Sequence, residues 1–369
     1  MVLRNQKLNN FRINILNALG GKKNAKLWAK TLILILTPFS FVFFVLMSIR
    51  RTLFKNNFFK STSLQVPVIS IGNISLGGTG KTPFIVWIIK KLKDQGLKPA
   101  VISRGYGSLN SNLTVVSDGK GNVLSSPPAS DESVMLSRLF PDVPIVTGTN
   151  RILSGEKVIS KFNVDIVLID DGFQYLKLKR NFDFLLFHGN NPFGNGRVFP
   201  SGILREPIGY SKYADAFLVT GKNKKEGAQQ VANLNFSIPV FKGELVVDSI
   251  FCPEKKSNIA LEDMKKSDIL AFSGIGNPDS FDHILENLGL SIIEHLKFPD
   301  HATYNEKFFS KISRKIQELN PDYVITTEKD IVKLNTLKFE IPLLVLRVGM
   351  KIDDPDSLWK LILKKGISF

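Results

Sequence analysis

The chain has 369 residues, 43% of them apolar and 22% charged, which supplies a sizeable core and excludes wholesale disorder. Cys252 is the single cysteine, so no intramolecular disulfide can form, and histidines scattered at 188, 283, 295 and 301 speak against a multi-histidine metal site. Of the net charge of +16, residues 1–60 carry eleven Lys and Arg and no Asp or Glu, which argues against a uniformly basic nucleic-acid surface and for a specialised N-terminal segment. No nucleic-acid partner is expected.

Within that segment Thr31 to Ile49 is a run of nineteen residues without a charge, flanked by Lys22, Lys23, Lys26 and Lys30 before it and Arg50, Arg51 and Lys55 after it. About twenty apolar residues can cross a bilayer. A cleaved signal peptide fits poorly, because the run starts late and no small-residue cleavage site follows it. A full span, an interfacial anchor on anionic phospholipid and a buried core helix all remain open. Pro38 is expected to kink the helix. Thr31, Thr37 and Ser40 form no polar stripe in this reading, so the helix is taken as apolar all round.

Next comes a β-rich run, Val66 to Ile71, that enters a glycine-rich loop ending in Gly80-Lys81-Thr82-Pro83, followed by a helical pattern over 83–95. Strand, glycine loop and helix in this order make a phosphate-binding loop. Gly77, Gly78, Thr79 and Gly80 supply converging backbone N–H groups, Lys81 a charge for the β- and γ-phosphates, and Thr82 a hydroxyl for Mg²⁺. The strict pattern G-x-x-x-x-G-K-[ST] would have glycine at 75, where this chain has Ser75.

Strand and helix patterns then alternate, which predicts α/β architecture with a mostly parallel sheet. Strands are expected at 99–103, 143–146, 164–169, 183–187 and 215–220, with helices at 131–140 and 150–162. A β connector follows at about 237–257. A second, smaller α/β unit then runs strand 269–273, helix 279–288, strand 292–297, helix 305–319, strands 322–326 and 342–348, and helix 355–364. The serine-rich stretch 107–130 reads as a surface loop or hairpin. The expected organisation is an N-terminal segment (1–60) with a membrane anchor at 31–49, a nucleotide-binding domain (61–236), the connector (237–257) and a C-terminal domain (258–369).

Several constellations sit at strand ends, where ligands gather in open α/β sheets. Val164 to Ile169 leads into Asp170-Asp171-Gly172, and an acid there can hold Mg²⁺. Asp131-Glu132 opens a helical pattern and reads either as a cap or as the carboxylate that a hydroxyl kinase needs to orient or deprotonate its acceptor. Ser103-Arg104-Gly105-Tyr106-Gly107 follows the second strand. The stretch PFGNGRVFPSGILREP (192–207) is a long Gly/Pro-rich loop with Arg197 and Arg205, one of which could stabilise γ-phosphate charge; a flexible lid is the alternative. His301 follows Asp300 at a strand end and could relay a proton. Thr326 to Asp330 could read a nucleotide base, close a cleft or simply cap a helix.

Taken together, GNISLGGTGKTP (72–83), SRGYG (103–107), the Asp131-Glu132 pair, DDGFQ (170–174), GNGRVFPSGILREP (194–207), SGIGNPDSF (273–281), FPDH (298–301) and TEKD (327–330) resemble the tetraacyldisaccharide 4′-kinase family of lipid A biosynthesis. The resemblance covers the chain from the apolar segment to about residue 335, and serine or threonine at the first glycine of the loop is usual there. It implies transfer of the ATP γ-phosphate to the 4′-hydroxyl of a tetraacyl glucosamine disaccharide 1-phosphate, the lipid A disaccharide precursor, to give lipid IVA, with Mg²⁺, at the cytoplasmic face of the inner membrane. By motif match it implies Asp131 as catalytic base paired with His301, Lys81 and Thr82 on phosphate and Mg²⁺, Glu132 and Asp171 as metal-associated acids, and Arg205 as a phosphate-stabilising arginine. Glu328 and Asp330 are assigned to the nucleotide. The acid pair is usually preceded by glycine in this family, and Ser130 stands there in this chain. The competing functional classes are a membrane-associated P-loop ATPase or GTPase switch, which would hydrolyse nucleotide without an acceptor, and a non-enzymatic nucleotide-binding regulator of an envelope complex, which would bind without turnover.

Overall fold

The computed structural model describes residues 11, 14–22, 25–105, 113–124, 129–276, 278–299, 304–334 and 339–367. In chain order its elements begin with α1 (Leu27–Lys55), β1 (Val68–Asn73), α2 (Lys81–Asp94), β2 (Pro99–Ser103), β3 (Thr114–Asp118), α3 (Asp131–Leu139), β4 (Pro144–Thr147) and α4 (Arg151–Lys161). They continue with β5 (Ile166–Asp170), β6 (Phe182–His188), β7 (Ala216–Thr220), α5 (Lys224–Ala232), β8 (Val240–Cys252), β9 (Ser257–Asn258) and α6 (Leu261–Met264). The last are β10 (Asp268–Ser273), α7 (Pro278–Asn287), β11 (Ser291–Lys297), α8 (Glu306–Leu319), β12 (Tyr323–Thr327), α9 (Glu328–Ile331), β13 (Leu343–Ile352) and α10 (Pro355–Gly366). The fold is thus the expected α/β architecture, with mostly parallel strand pairing and one long apolar helix near the N-terminus.

Backbone proximity groups the chain into two compact units, neither of them a single stretch: Met1–Lys81 with Leu168–Glu244 and Ile352–Phe369, and Thr82–Val167 with Leu245–Lys351. The sequence division at 61–236 and 258–369 follows chain order, and as a description of folding domains it stands as a proposal.

In the first unit β1 pairs in parallel with β6, β6 with β7, and β7 with the start of β8, while the end of β5 lies beside β1. These strands, VISIGN, FDFLLFH and AFLVT, are mostly apolar with no in–out alternation, because a parallel sheet is buried on both faces; the polar Ser70, Asn73 and Asp183 are buried among them. Ile74, Phe173, Leu185, Phe187, Leu204 and Phe217 pack together beside the end of β1. In the second unit β2 pairs in parallel with β4, and β10 takes β11 and β12 as parallel neighbours, with β13 beyond β12. Helix α2 presents Ile85, Ile88, Ile89 and Leu92 to the interior and stops at Gly96, whose φ of 75° supplies the left-handed cap.

The stretch 107–130, expected as a surface loop or hairpin, contains a hairpin: Thr114–Asp118 forms the edge strand β3, antiparallel to β4, and Ser117 bridges back to Val123. One expectation needs correction. Helix α1 is not apolar all round. It continues through Pro38, and Thr37 and Ser40, three residues apart and hence on one face, make hydrogen bonds to Arg197 and Ser201 in the same unit; Ala29, Ile33 and Arg51 are also buried. The other face leaves Leu34, Ile35, Phe39, Phe41, Val42 and Leu46 exposed. Helix α5 was not foreseen, because its sequence KKEGAQQVA carries little apolar periodicity.

Candidate active site

The first cluster lies in the first unit, where β1 ends. Residues 74–76 pair antiparallel with 203–205: Leu76 N donates to Ile203 O at 2.7 Å and Arg205 N to Ile74 O at 2.6 Å, with Ser75 opposite Leu204. Ser75 therefore sits in an extended, paired backbone that any residue can adopt, which explains why glycine is dispensable there. Glycine is needed just before it. A Cβ on Gly72 would lie 2.6 Å from Phe173 Cβ, so the loop and the Asp-Asp-Gly-Phe-Gln segment can only approach this closely without a side chain. Gly77, with φ of 113°, is required by its backbone, and a Cβ there or on Gly78 would meet nothing within 4 Å, so the loop faces open space that an anion can enter.

Asn73 organises this loop from below. Its Nδ2 donates to Ser75 O at 2.7 Å, and its Oδ1 accepts from Lys81 Nζ at 3.2 Å. Gln174 Nε2 donates to Asn73 O at 2.9 Å, and Thr220 Oγ1 to Thr79 O at 3.0 Å. The buried Thr79 Oγ1 has no hydrogen-bond partner among the described residues. Lys81 Nζ lies 3.4 Å from Asp171 Oδ1, and Arg205 Nη1 donates to Asp171 Oδ2 at 2.7 Å. Burial alone would push the Asp171 carboxyl up; Lys81 and Arg205 together outweigh it and hold the group below its ordinary value. Two cations thus converge on one carboxylate at the mouth of a phosphate loop, the arrangement a polyphosphate would meet.

The long Gly/Pro-rich loop is tied down rather than free. Arg197 Nη1 donates to Thr37 Oγ1 at 2.7 Å, Ser201 N to Ser40 Oγ at 2.7 Å, and Glu206 receives Arg51 Nη2 at 2.9 Å. The guanidinium of Arg51 also stacks on Phe173, Tyr210 and Tyr213. The same loop that pairs with the phosphate loop is therefore bonded along α1.

The second cluster lies in the second unit. Asp131 and Glu132 begin α3; Lys333 Nζ is 3.4 Å from Asp131 Oδ2, and Lys329 Nζ is 3.3 Å from Glu132 Oε1. Asp330 is fully buried, accepting from Gly274 N at 3.0 Å and from Thr327 Oγ1 at 2.7 Å, with Lys333 Nζ at 3.2 Å. Glu328 is also buried; Val348 N donates to it at 3.4 Å and Arg347 Nε lies 3.7 Å away. Burial pushes its carboxyl up to about 7 against these partners. Burial, with Asp330 and Asp131 nearby, raises the Tyr304 hydroxyl as well.

The sequence-derived positions are thus distributed. Lys81, Asp171, Arg205 and Gly77 to Gly80 belong to the first cluster, with Thr82 the next residue of α2; Asp131, Glu132, Glu328 and Asp330 belong to the second. His301, Tyr106 and Gly107 lie outside the described residues. Among the described residues no three His, Cys, Asp or Glu side chains group closely enough to hold a metal by themselves. Sequence reasoning placed Asn73 and Lys329 inside motifs without giving either a role of its own, and missed Lys333. The signal for Lys333 was present, three residues after Asp330 in TEKDIVK, but its partner Asp131 lies far back in the chain.

Known proteins resemble this chain over most of its length. The family model described as tetraacyldisaccharide-1-P 4'-kinase matches residues 32–366, a span that takes in both clusters. A tetraacyldisaccharide 4'-kinase of Desulfotalea psychrophila is 37% identical over 343 residues, covering 90% of this chain and 96% of its own. One from Syntrophus aciditrophicus is 35% identical over 345 residues, covering 90% and 92%. The crystal structure of LpxK from Aquifex aeolicus in complex with ATP superposes with a TM-score of 0.75 at 30% identity, over 91% of this chain and 99% of that one. A match of this length, in a chain whose phosphate loop, paired acids and apolar helix are all present, makes it a member of the tetraacyldisaccharide-1-P 4'-kinase family.

Proposed function

We propose that the protein transfers the γ-phosphate of ATP to the 4′-hydroxyl of a tetraacyl glucosamine disaccharide 1-phosphate, giving lipid IVA. The observation that carries this reading is the family match over 32–366, which contains every residue assigned a role. The N–H groups of Gly77 to Gly80 cradle the phosphates and Lys81 neutralises the β- and γ-oxygens. Arg205, beside Asp171, stabilises charge on the γ-phosphate as the bond to the ADP oxygen breaks. Asp131, with His301, takes the proton of the 4′-hydroxyl while its oxygen bonds to phosphorus. Glu328 and Asp330 support the nucleotide side; the complete burial of Asp330 favours an indirect role through Gly274 and Lys333.

A Mg²⁺ ion held mainly by phosphate oxygens and water needs only one or two protein oxygens. Thr82, Glu132 and Asp171 would each offer such an oxygen, and the two acids are also ion-paired, Asp171 to Lys81 and Arg205 and Glu132 to Lys329. When bound, the ion would neutralise charge on the transferring phosphate.

The proposed setting is the cytoplasmic face of the inner membrane. Helix α1 has length and apolarity enough to cross a bilayer, yet one face is bonded to the protein through Thr37, Ser40 and Arg51. That supports a helix lying edgewise in one leaflet, its Leu34–Phe41 face among acyl chains and its basic flanks on anionic phospholipid.

The test is to incubate the detergent-solubilised protein with γ-labelled ATP, Mg²⁺ and a tetraacyl disaccharide 1-phosphate. Labelled lipid is expected. Absence of transfer under conditions where Mg²⁺-ATP demonstrably binds would sink the kinase reading, and an Asp131→Asn variant retaining the wild-type rate would remove Asp131 as base.

A further inference from the structure

The ammonium of Lys333, given a role so far only through Asp330, also lies against the proposed base. Its side chain is 6% exposed, with Nζ 3.4 Å from Asp131 Oδ2 and 3.2 Å from Asp330 Oδ1. A third side faces the Tyr304 ring, 5.7 Å from its centroid. A lysine ammonium is a compact charge with three donors, and here two carboxylates and an aromatic face surround it. Asp330 is in turn held by Gly274 N and Thr327 Oγ1, so the anchoring end of this bridge is fixed in the fold. Pairing of Lys333 with Asp330 alone would be an ordinary contact three residues apart. Its contact with Asp131 is different, since that joins the α9 segment to the first turn of α3 at the one carboxylate assigned to the acceptor hydroxyl.

We propose that Lys333 is a positioning residue for the phosphoryl transfer. Anchored on Asp330, it pins Oδ2 of Asp131 and so restricts the terminal torsion of that carboxylate, a torsion that is broad for aspartate in general. It also stands as counter-ion between two acids that would face one another without it. The inference rests on the reading of Asp131 as the base. Misalignment of a base is felt in the transition state rather than in substrate binding.

The experiment compares kcat and KM of the full-length, detergent-solubilised Lys333→Met, Lys333→Arg, Asp330→Asn/Lys333→Met and Asp131→Asn variants, with thermal midpoints. Lys333→Met should lose about 10-fold to 100-fold in kcat with KM for ATP and acceptor within about twofold of wild type. Lys333→Arg should recover much of the rate, because the cation is restored. The double variant removes the buried charge that Lys333→Met leaves unpaired; it should regain the wild-type thermal midpoint while keeping the loss in kcat. If the double variant instead regains wild-type kcat, Lys333 serves only to neutralise Asp330 and the proposal is overturned. A loss that appears equally in KM and is the same in the Met and Arg variants also overturns it. An Asp131→Asn variant with full activity would point to failure of the base assignment itself. Inactive Asp131→Asn beside a fully active double variant would sink only the role of Lys333.

Discussion

Asp171 has a left-handed backbone, φ 56°, a conformation that Asp and Asn tolerate better than other side-chain-bearing residues, and its N–H bonds back to Ile71 O. That local turn brings its carboxylate against Lys81 and Arg205, and the consequence is testable. Lys81→Ala removes a positioned charge from the transferring phosphate and should lower kcat by about 100-fold or more, read by γ-labelled ATP transfer. Glu328 yields a prediction in pH. Its carboxyl stands at about 7 in the fold against 4.5 ordinarily, so between these values the folded chain keeps a proton that the unfolded chain has released. Stability therefore falls as pH rises through this window and is lowest above about 7. Glu328→Gln cannot ionise and should be more stable than wild type at pH 8, by about 1–3 kcal/mol, with most of the difference gone at pH 5. Denaturant unfolding at the two pH values checks it; equal stability at pH 8 would refute the raised carboxyl. At this scale the phosphate loop was legible because its residue types are dictated by phosphate chemistry. Asn73 and Lys333 were not, because what they do depends on Ser75, Lys81, Asp131 and Asp330, partners that spacing along the chain does not announce.

Among the elements, α1 shows how composition can identify a helix and still misassign its faces. Nineteen uncharged residues predicted a long apolar helix, and the structure has it over Leu27–Lys55. Its Thr37 and Ser40 are not incidental polar residues, since they receive the loop that also pairs with residues 74–76. The exposed face gives a third prediction. Phe39 and Phe41 are 62% and 66% exposed, so replacing both by Asp should change folding stability by about 0.5 kcal/mol each or less. The same change should sharply reduce co-sedimentation with phospholipid vesicles, since burying each ring in acyl chains contributes about 2–3 kcal/mol. Unchanged vesicle binding would refute the membrane-facing assignment. The parallel strands were readable as apolar runs with glycine and acid at their ends. Helix α5 was not, since a short polar helix carries weak periodicity.

For the whole molecule, the +16 net charge is concentrated at the N-terminus, but Arg51 is buried against Glu206 and so adds nothing to the surface field. The remaining basic flanks of α1 predict salt-sensitive binding to anionic vesicles. Co-sedimentation should weaken as NaCl rises from about 0.05 to 0.5 M, where the Debye length shortens to a few ångströms, and a residue of binding should persist through the apolar face. Salt-independent binding would exclude the electrostatic contribution. By itself the sequence determined the α/β class, the phosphate loop, the apolar helix and the kinase family. Each of these is written in local chemistry: apolar runs for buried parallel strands, glycines where the backbone needs φ > 0 or close approach, and motif residues whose types are set by phosphate and proton transfer. Only the tertiary structure decided that the compact units are assembled from non-consecutive segments, that Ser75 lies in paired extended backbone, that one face of α1 belongs to the protein, and that Asp330 and Lys333 stand behind Asp131. Those facts are contacts between residues far apart in the chain, fixed by packing and ion pairing, and no local pattern encodes them.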